Sequence, residues 1–469
     1  MNMFHGAKVA LPGNELPGVW TDAAVSWRQF ARILWFVPLL VSGCATYHPQ
    51  PLPTAPDLMR SPALTVPVSK LDLPGLKPHP LDPAKGLDET AVVTLAVLHN
   101  PDLKAARLQA GVAEAQLLEA GLLPDPVVSG GLSQSTLRTG YAVGLSEDLQ
   151  ALITRGAAKA AAQAQVRRVN LEILWQEWQV ADRARELFIQ TRADDELREV
   201  LAVSRDLLNE RCQRDKTALQ YGDVTAVTVS ADLAALAEAQ ATLRQLQLQA
   251  NQTRHELDQL LGLKPDTPIR LTGGSQIQPL SSAEFQAAVA ALPRRRADLL
   301  ALQAGYQSQE EKLREVILAQ FPAISAGVEQ AKSAEEGIHT VGLTVNVTLP
   351  LFNRNRGQIA LQQATRALLW QTYQARLDQA VNQADQLWQA VRLMARQQAD
   401  LQKRLAQLEK MAAAAERSFR LGNLDAGTYA GMELNFRTAQ AEAIRLRAAL
   451  ERAEAALQLL LGLPLASSS

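Results

Sequence analysis

The side chains in this sequence best able to carry covalent or metal chemistry are two thiols, Cys44 and Cys212, and six imidazoles, His5, His48, His79, His99, His255 and His339. A metal held on one helix face needs ligands at i and i+4, and no histidine is so spaced from another histidine or from Cys212. The sequence therefore implies no metal site and no cofactor. No Ser/His/Asp set, paired carboxylates, P-loop or glycine fingerprint falls in the strand-to-helix context that such chemistry needs, so an enzyme is the weakest reading. Cys212 sits in a helical run and lacks a partner if Cys44 is modified, which makes it a small packing residue. Cys44 differs because of what precedes it.

Arg28 and Arg32 stand ahead of the apolar run from Ile33 to Val41, and Ser42-Gly43-Cys44 comes next. A positive start, an apolar stretch too short to span and a small pair before a cysteine resemble a bacterial lipoprotein signal, with Cys44 as the acylated residue. The usual pattern has leucine three places before the cysteine; here that place holds Val41, with Leu40 one earlier. Ala45 stands after the cysteine in place of an aspartate, and an outer-membrane destination is the expectation for such a lipoprotein. Met1 to Thr21 carries polar and turn-forming residues unlike any part of a signal. Initiation at Val25 would leave Val25 to Gly43 as a signal of ordinary length, and a codon other than GTG at Val25 would rule that out.

The elements after Cys44 must suit a chain of 469 residues that is 47% hydrophobic, 20% charged and of formal net charge -1. Lys and Arg are spread along helical segments and matched by Asp and Glu, so no nucleic-acid surface forms. After Cys44 there is no run of 18 apolar residues, hence no transmembrane helix in the mature chain. Much of the apolar content is alanine, which favours close helix seams over one thick core.

The most informative stretch runs from Thr340 to Leu349. Val341, Leu343, Val345, Val347 and Leu349 alternate there with Gly342, Thr344, Asn346 and Thr348. That spacing predicts a strand whose apolar side faces lipid, and about ten residues is the length of a tilted membrane strand. Pro350 ends it, and a helix from about 357 to 420 comes after. Pro126 to Ser133 and Gly140 to Glu147 read as an earlier hairpin, with Tyr141, Val143 and Leu145 alternating against Ala142, Gly144 and Ser146. A helix of roughly 60 residues succeeds this hairpin too, from about 155 to 213, or about 90 Å.

Two anchors recur at a displacement of 200: Tyr221-Gly222-Asp223 returns as Leu421-Gly422-Asn423, and Leu260-Leu261-Gly262-Leu263 as Leu460-Leu461-Gly462-Leu463. The chain is thus a duplicated unit. It divides into an N-terminal extension and signal (1–43), a proline-rich tether (44–87), a first repeat (88–265, hairpin about 126–147, long helix about 155–213), a linker with a short helix (266–293) and a second repeat (294–465, hairpin about 322–349, long helix about 357–420). Asp88, Asn100-Pro101 and the pair Ser281/Glu284 mark helix starts, and the helix after Ser281 is expected to end near Pro293. The fold class is mainly α with a small β part. Four strands are too few to close a barrel and open edges cannot sit in lipid, so the chain must pool strands with copies of itself.

Asn100-Pro101-Asp102-Leu103, Ala120-Gly121-Leu122-Leu123-Pro124-Asp125-Pro126, the paired Gly222 and Gly422 turns and the repeated Leu-Leu-Gly-Leu endings, in this order, resemble the TolC-like outer-membrane efflux protein family over about 88–465. The resemblance implies a homotrimer with a twelve-stranded outer-membrane β-barrel and a periplasmic α-helical tunnel. It also implies docking on a periplasmic adaptor protein and an inner-membrane pump. The lipoprotein signal and proline-rich tail resemble the branch that serves pumps for metals or drugs. Tyr221, Gly222, Leu421 and Gly422 are then the adaptor-docking turns. Some relatives carry aspartates six and nine residues after the second-turn glycine, where this chain has Thr428 and Gly431; Asp425 and Glu433 are the nearest acids for a periplasmic constriction. Two other roles remain open on the sequence: an exit duct for protein secretion, and a nonporous periplasmic coiled-coil scaffold.

Overall fold

The structure, a computed structural model, describes residues 46–60, 86–136, 139–265, 267–274 and 277–463. Val25, the signal, Cys44 and most of the proline-rich stretch lie outside the described residues. The chain divides into Met1–Pro56 and Asp57–Ser469. Residues 46–56 carry no helix or strand and are exposed, and every described helix and strand belongs to the second unit.

Helix α1 (Glu89–His99) begins because the Asp88 carboxylate accepts from the Ala91 N–H at 2.8 Å. Helix α2 (Pro101–Gly121) begins on Asn100, whose side chain accepts from the Leu103 N–H at 2.9 Å, with proline preset at the first position. Strands β1 (Val127–Gln134) and β2 (Thr139–Asp148) form the first hairpin. Helix α3 (Leu149–Tyr221) continues from β2 with no intervening loop and returns through α4 (Ala226–Leu260). After the linker come α5 (Ser282–Arg295), α6 (Ala297–Leu318), β3 (Ala323–Lys332), β4 (His339–Thr348), α7 (Arg356–Arg420) and α8 (Ala426–Leu460).

Two expected boundaries move. The first long helix is 73 residues, not roughly 60, because Asp148 caps it directly from the strand, accepting from the Gln150 and Ala151 N–H groups. At its far end it continues past 213 to Tyr221. Helix α5 starts with the expected Ser281/Glu284 capping box but runs through Pro293 to Arg295. A proline in a last turn removes an N–H without ending the helix at once.

The helices lie side by side. Near the sheet the order across the layer is α2, α3, α6, α7, and away from it α4, α3, α8, α7. Small residues set the spacing: Ala157, Ala161 and Ala164 of α3 are buried where Ala301, Ala304, Gly305 and Ser308 of α6 approach. The Ser308 hydroxyl donates to the Ala161 carbonyl at 2.9 Å. At 1.5 Å per residue α3 spans about 110 Å and α7, with 65 residues, about 98 Å. Burial concentrates midway, where α1, α3, α4 and α8 converge on Phe188, Leu95 and Leu257. Phe285 stacks on Trp388 at 4.7 Å between ring centres in a second cluster.

Two buried cations fasten this zone. Arg185 pairs with Glu89 at 2.6 Å and with Gln458 at 3.1 Å, tying α1 to both repeats. Arg296 pairs with Asp298 at 2.8 Å while its guanidinium lies 4.9 Å from the Trp175 ring centre, and Asp298 also takes Arg376 of α7 at 2.8 Å. Removing one partner of such a pair strands a buried charge, at a cost of about 3–5 kcal/mol. The tether is held as well: Met59 pairs in parallel with Leu263 at the end of the first repeat, and Leu87 with Leu271 of the linker. Met59 N–H donates to the Gly262 carbonyl at 3.0 Å, and Leu87 N–H to the Arg270 carbonyl at 2.8 Å.

Candidate functional site: a two-faced sheet and two helix turns

The two hairpins join into one antiparallel sheet, ordered β1-β2-β3-β4. Residues paired across antiparallel strands share a face, so the register assigns every side. Leu343 pairs with Val328, Val328 with Leu145, and Leu145 with Val128. The same face carries Leu132, Tyr141, Val143, Ile324, Val341, Val345 and Val347. Nearly all of these are exposed, Leu343 and Leu132 at 85% each. Water-soluble proteins seldom leave so large an apolar surface uncovered.

The opposite face is built from small and polar residues. Its rows include Ser129-Gly144-Glu329-Gly342 and Val127-Ser146-Gly327-Thr344. Asn346 lies beside Ser325 there, its amide 3.4 Å from the hydroxyl. This face is crowded at the centre of the sheet. A Cβ on Gly327 would stand 2.7 Å from the Leu145 carbonyl oxygen, one on Gly144 2.7 Å from Ser129 Oγ, and one on Gly140 2.5 Å from the Lys332 carbonyl oxygen. The close approach is confined to glycines of β2 and β3, since a Cβ on Gly131 or Gly342 of the same face would meet nothing within 4 Å, and it is the crowding that a sheet bent toward its polar face produces there. Sequence reading missed these glycines as a set because their crowding comes from β2 meeting β3, a pairing that no local pattern announces. The outer edges of β1 and β4 have no strand beside them among the described residues.

The Gly222 and Gly422 turns are built alike. Asp223 N–H donates to the Ala218 carbonyl and Asn423 N–H to the Ser418 carbonyl, each at 2.9 Å, closing Schellman-type turns around glycines at φ 80° and 76°. A Cβ at either glycine would meet nothing within 4 Å, so positive φ, not crowding, selects glycine. Tyr221 and Leu421 flank them, 78% and 75% exposed. The same turn closes α4 and α8, where Leu263 N–H donates to the Asp258 carbonyl at 2.8 Å and Leu463 N–H to that of Gln458 at 3.0 Å.

The two acids near the second turn have local partners. Asp425 caps α8, accepting from the Thr428 N–H at 2.8 Å and its hydroxyl at 2.6 Å, and these bonds hold its pKa below the usual carboxylate value. Glu433 pairs with Arg437 at 2.6 Å. Among the described residues no helix is long and apolar enough to cross a membrane, and no group of three metal-ligating side chains converges.

Several solved structures share this architecture. CusC, described for conformational changes accompanying folding and transmembrane channel formation, matches at 16% identity over 87% of this chain and 99% of its own, with a TM-score of 0.66. VceC, an outer membrane protein from Vibrio cholerae, matches at 16% identity over 80% of this chain and 96% of its own, with a TM-score of 0.65. The open-state MtrE outer membrane channel of Neisseria gonorrhoeae matches at 17% identity over 80% and 89%, with a TM-score of 0.64. No family model and no curated protein matches the sequence. At such identities what is shared is the fold.

Proposed function

We propose that this chain, which has the TolC-like fold of those channels, is the outer-membrane channel of a tripartite efflux system. It would pass small toxic solutes, metal cations or drugs, from a periplasmic adaptor and inner-membrane pump to the exterior. The observation that carries the proposal is the four-stranded sheet, apolar and exposed on its convex side, small and polar on its concave side, and open at both edges among the described residues. Strands of ten residues tilted by about 40° rise about 25 Å, the height of an outer-membrane apolar band. In lipid the open edges of β1 and β4 must pair, and the partner that matches both is a second copy of the same sheet. Three copies give twelve strands.

The helices suit the same assembly. At the free sides of the layer, α2 exposes Leu108, Val112 and Leu118, and α7 exposes Leu361, Leu368 and Trp370. Those rows would meet between neighbouring copies. Tyr221, Gly222, Leu421 and Gly422, at the ends of the two long helices away from their strands, are the proposed adaptor-docking tips, because exposed apolar side chains on rigid turns make good anchors. Acylated Cys44 would add a lipid anchor. For Asp425 and Glu433, the cap and the ion pair favour a structural role over a constriction. The test is an outer-membrane preparation run unheated and boiled: a species near three times the mass of the boiled chain that collapses on boiling supports the proposal. A soluble elongated dimer from the chain lacking both cysteines would favour the scaffold.

A further inference from the structure

Among the described residues, the concave face of the sheet carries two ionisable side chains. Asp148, at its base, is spent capping α3. The other is Glu329, in the middle of the β3 row. Glu329 pairs with Gly144 on one side and Gly342 on the other, so neither neighbour in register has a side chain to cover its stem. Its Cγ would stand 3.8 Å from a Cβ built on Gly144, which places the side chain on the concave side independently of the register. The two glycines belong to the repeated segments Val143-Gly144-Leu145 and Val341-Gly342-Leu343, so the duplication itself clears the space around this carboxylate. Its position on an inner strand leaves it equally open when further copies pair with β1 and β4.

We infer that Glu329 is the charge-selecting residue of the barrel lumen, favouring cationic over anionic solutes at the outer end of the pore. This rests on the channel reading. Twelve strands about 4.8 Å apart and tilted by about 40° enclose a cylinder of about 12 Å radius. A glutamate reaching inward by about 5 Å would then hold its charge about 7 Å from the axis. That is within the screening length of about 8 Å at physiological salt, so three such carboxylates set the potential across the whole bore. The rest of this face, Ser, Thr, Asn, Gly and Ala with Val127 and the capping Asp148, contributes no positive charge to oppose them.

The test reads the local potential beside Glu329. Thr344, two positions from Gly342 on the same face, is its diagonal neighbour, with Cβ atoms about 7–8 Å apart. In the full-length chain carrying Thr344→Cys, assembled in outer membranes, the introduced thiol is reacted with a cationic and an anionic methanethiosulfonate of equal size. The parent chain, whose Cys212 is buried, sets the background. At low salt the cationic-to-anionic rate ratio should fall about three- to tenfold when Glu329→Gln is added and invert with Glu329→Lys, and the difference should shrink at about 0.5 M salt. A thiol that reacts with both reagents at a ratio indifferent to Glu, Gln or Lys at 329 would overturn the inference and leave the channel reading standing. A thiol that neither reagent reaches would mean the concave face is not wet, and the channel reading would fall with it.

Discussion

Replacing Leu343 by arginine separates a lipid-facing sheet from one packed against protein. Leu343 is the fifth of ten residues in β4, about 12 Å from either end of a tilted strand, and its neighbours Val328 and Leu145 continue the apolar face across the sheet. If that face meets lipid, the cost depends on depth: about 2–4 kcal/mol at the midplane, falling to about 0–1 kcal/mol near the interface. Leu343→Arg should therefore be the worst position, and Val347→Arg, one residue from the end of the strand, mild. Packing against protein predicts the reverse order, because Val347 is 49% exposed and Leu343 is 85% exposed. Thr344→Arg enters the polar face and should insert normally while altering conductance. In a trimer each replacement acts three times, so Leu343→Arg should lose most of its heat-modifiable species from the outer membrane at matched expression. Urea titrations of refolding into lipid vesicles would order the three variants. Val347→Arg costing more than Leu343→Arg, or Thr344→Arg costing as much, would refute the assignment of the faces.

The other predictions concern the anchor, the turns, the curl of the sheet and the middle of the helical layer. Cys44→Ser should abolish acylation while some assembly persists, and palmitate labelling retained in that variant would count against the anchor. Gly222→Trp combined with Gly422→Trp should leave trimers intact, since nothing crowds either position beyond about 1 kcal/mol of backbone strain, yet abolish export; normal export would exclude the turns as docking sites. Gly327→Val should prevent assembly because its Cβ would fall 2.7 Å from a backbone oxygen, whereas Gly342→Ala, with open space, should assemble normally; equal trimer yields would dismiss the crowding argument. Burial raises Asp182 to about 6, and burial with Glu451 nearby raises Glu454 to about 6. The fold then binds more protons than the unfolded chain between about pH 4 and 6, so these groups favour the fold below that window and their contribution is lost as pH rises through it. Thermal unfolding measured from about pH 7 to 5 should show a smaller rise for Asp182→Asn with Glu454→Gln than for the parent.

What could be read from the sequence was whatever repeats or alternates locally. β4 announced itself through five apolar residues at period two, and the turns through paired glycines 200 residues apart, because each needs only its own few residues to specify φ or a face. The caps Asp88, Asn100 and Ser281 were legible for the same reason. What stayed hidden depends on partners distant in sequence. The pairing of β2 with β3 joins residues about 190 apart, and only that pairing reveals the crowded glycines and isolates Glu329. The set around buried Arg296, with Asp298, Arg376 and Trp175, draws on three helices, and its charges looked, residue by residue, like ordinary surface charge. The early start of α3 was masked because no loop separates it from β2: Asp148, both the last strand residue and the cap, fixed the boundary.

The duplication preserves backbone and changes chemistry. Positions 200 apart in the two long hairpins hold Arg211 and Met411, Cys212 and Ala412, Asp215 and Ala415, and Asp232 and Met432. In the first hairpin Arg211 of α3 reaches Asp232 of α4 at 2.8 Å, and that aspartate holds Asp215 above the usual carboxylate range. In the second the corresponding seam is apolar, with Phe419 of α7 stacked on Tyr429 of α8 at 4.9 Å just before the turn. Cys212 and Ala412 are both buried at equivalent places, which explains a thiol that has no chemistry to perform: the seam needs a small residue there and either will do. A ring of three copies would therefore alternate ionic and aromatic hairpins at its tips. Near the tips the ionic seam is the more sensitive to pH and salt, since the Arg404–Glu442 pair of the second hairpin lies farther from its turn, so mild acid or high salt should loosen the Gly222 hairpin first.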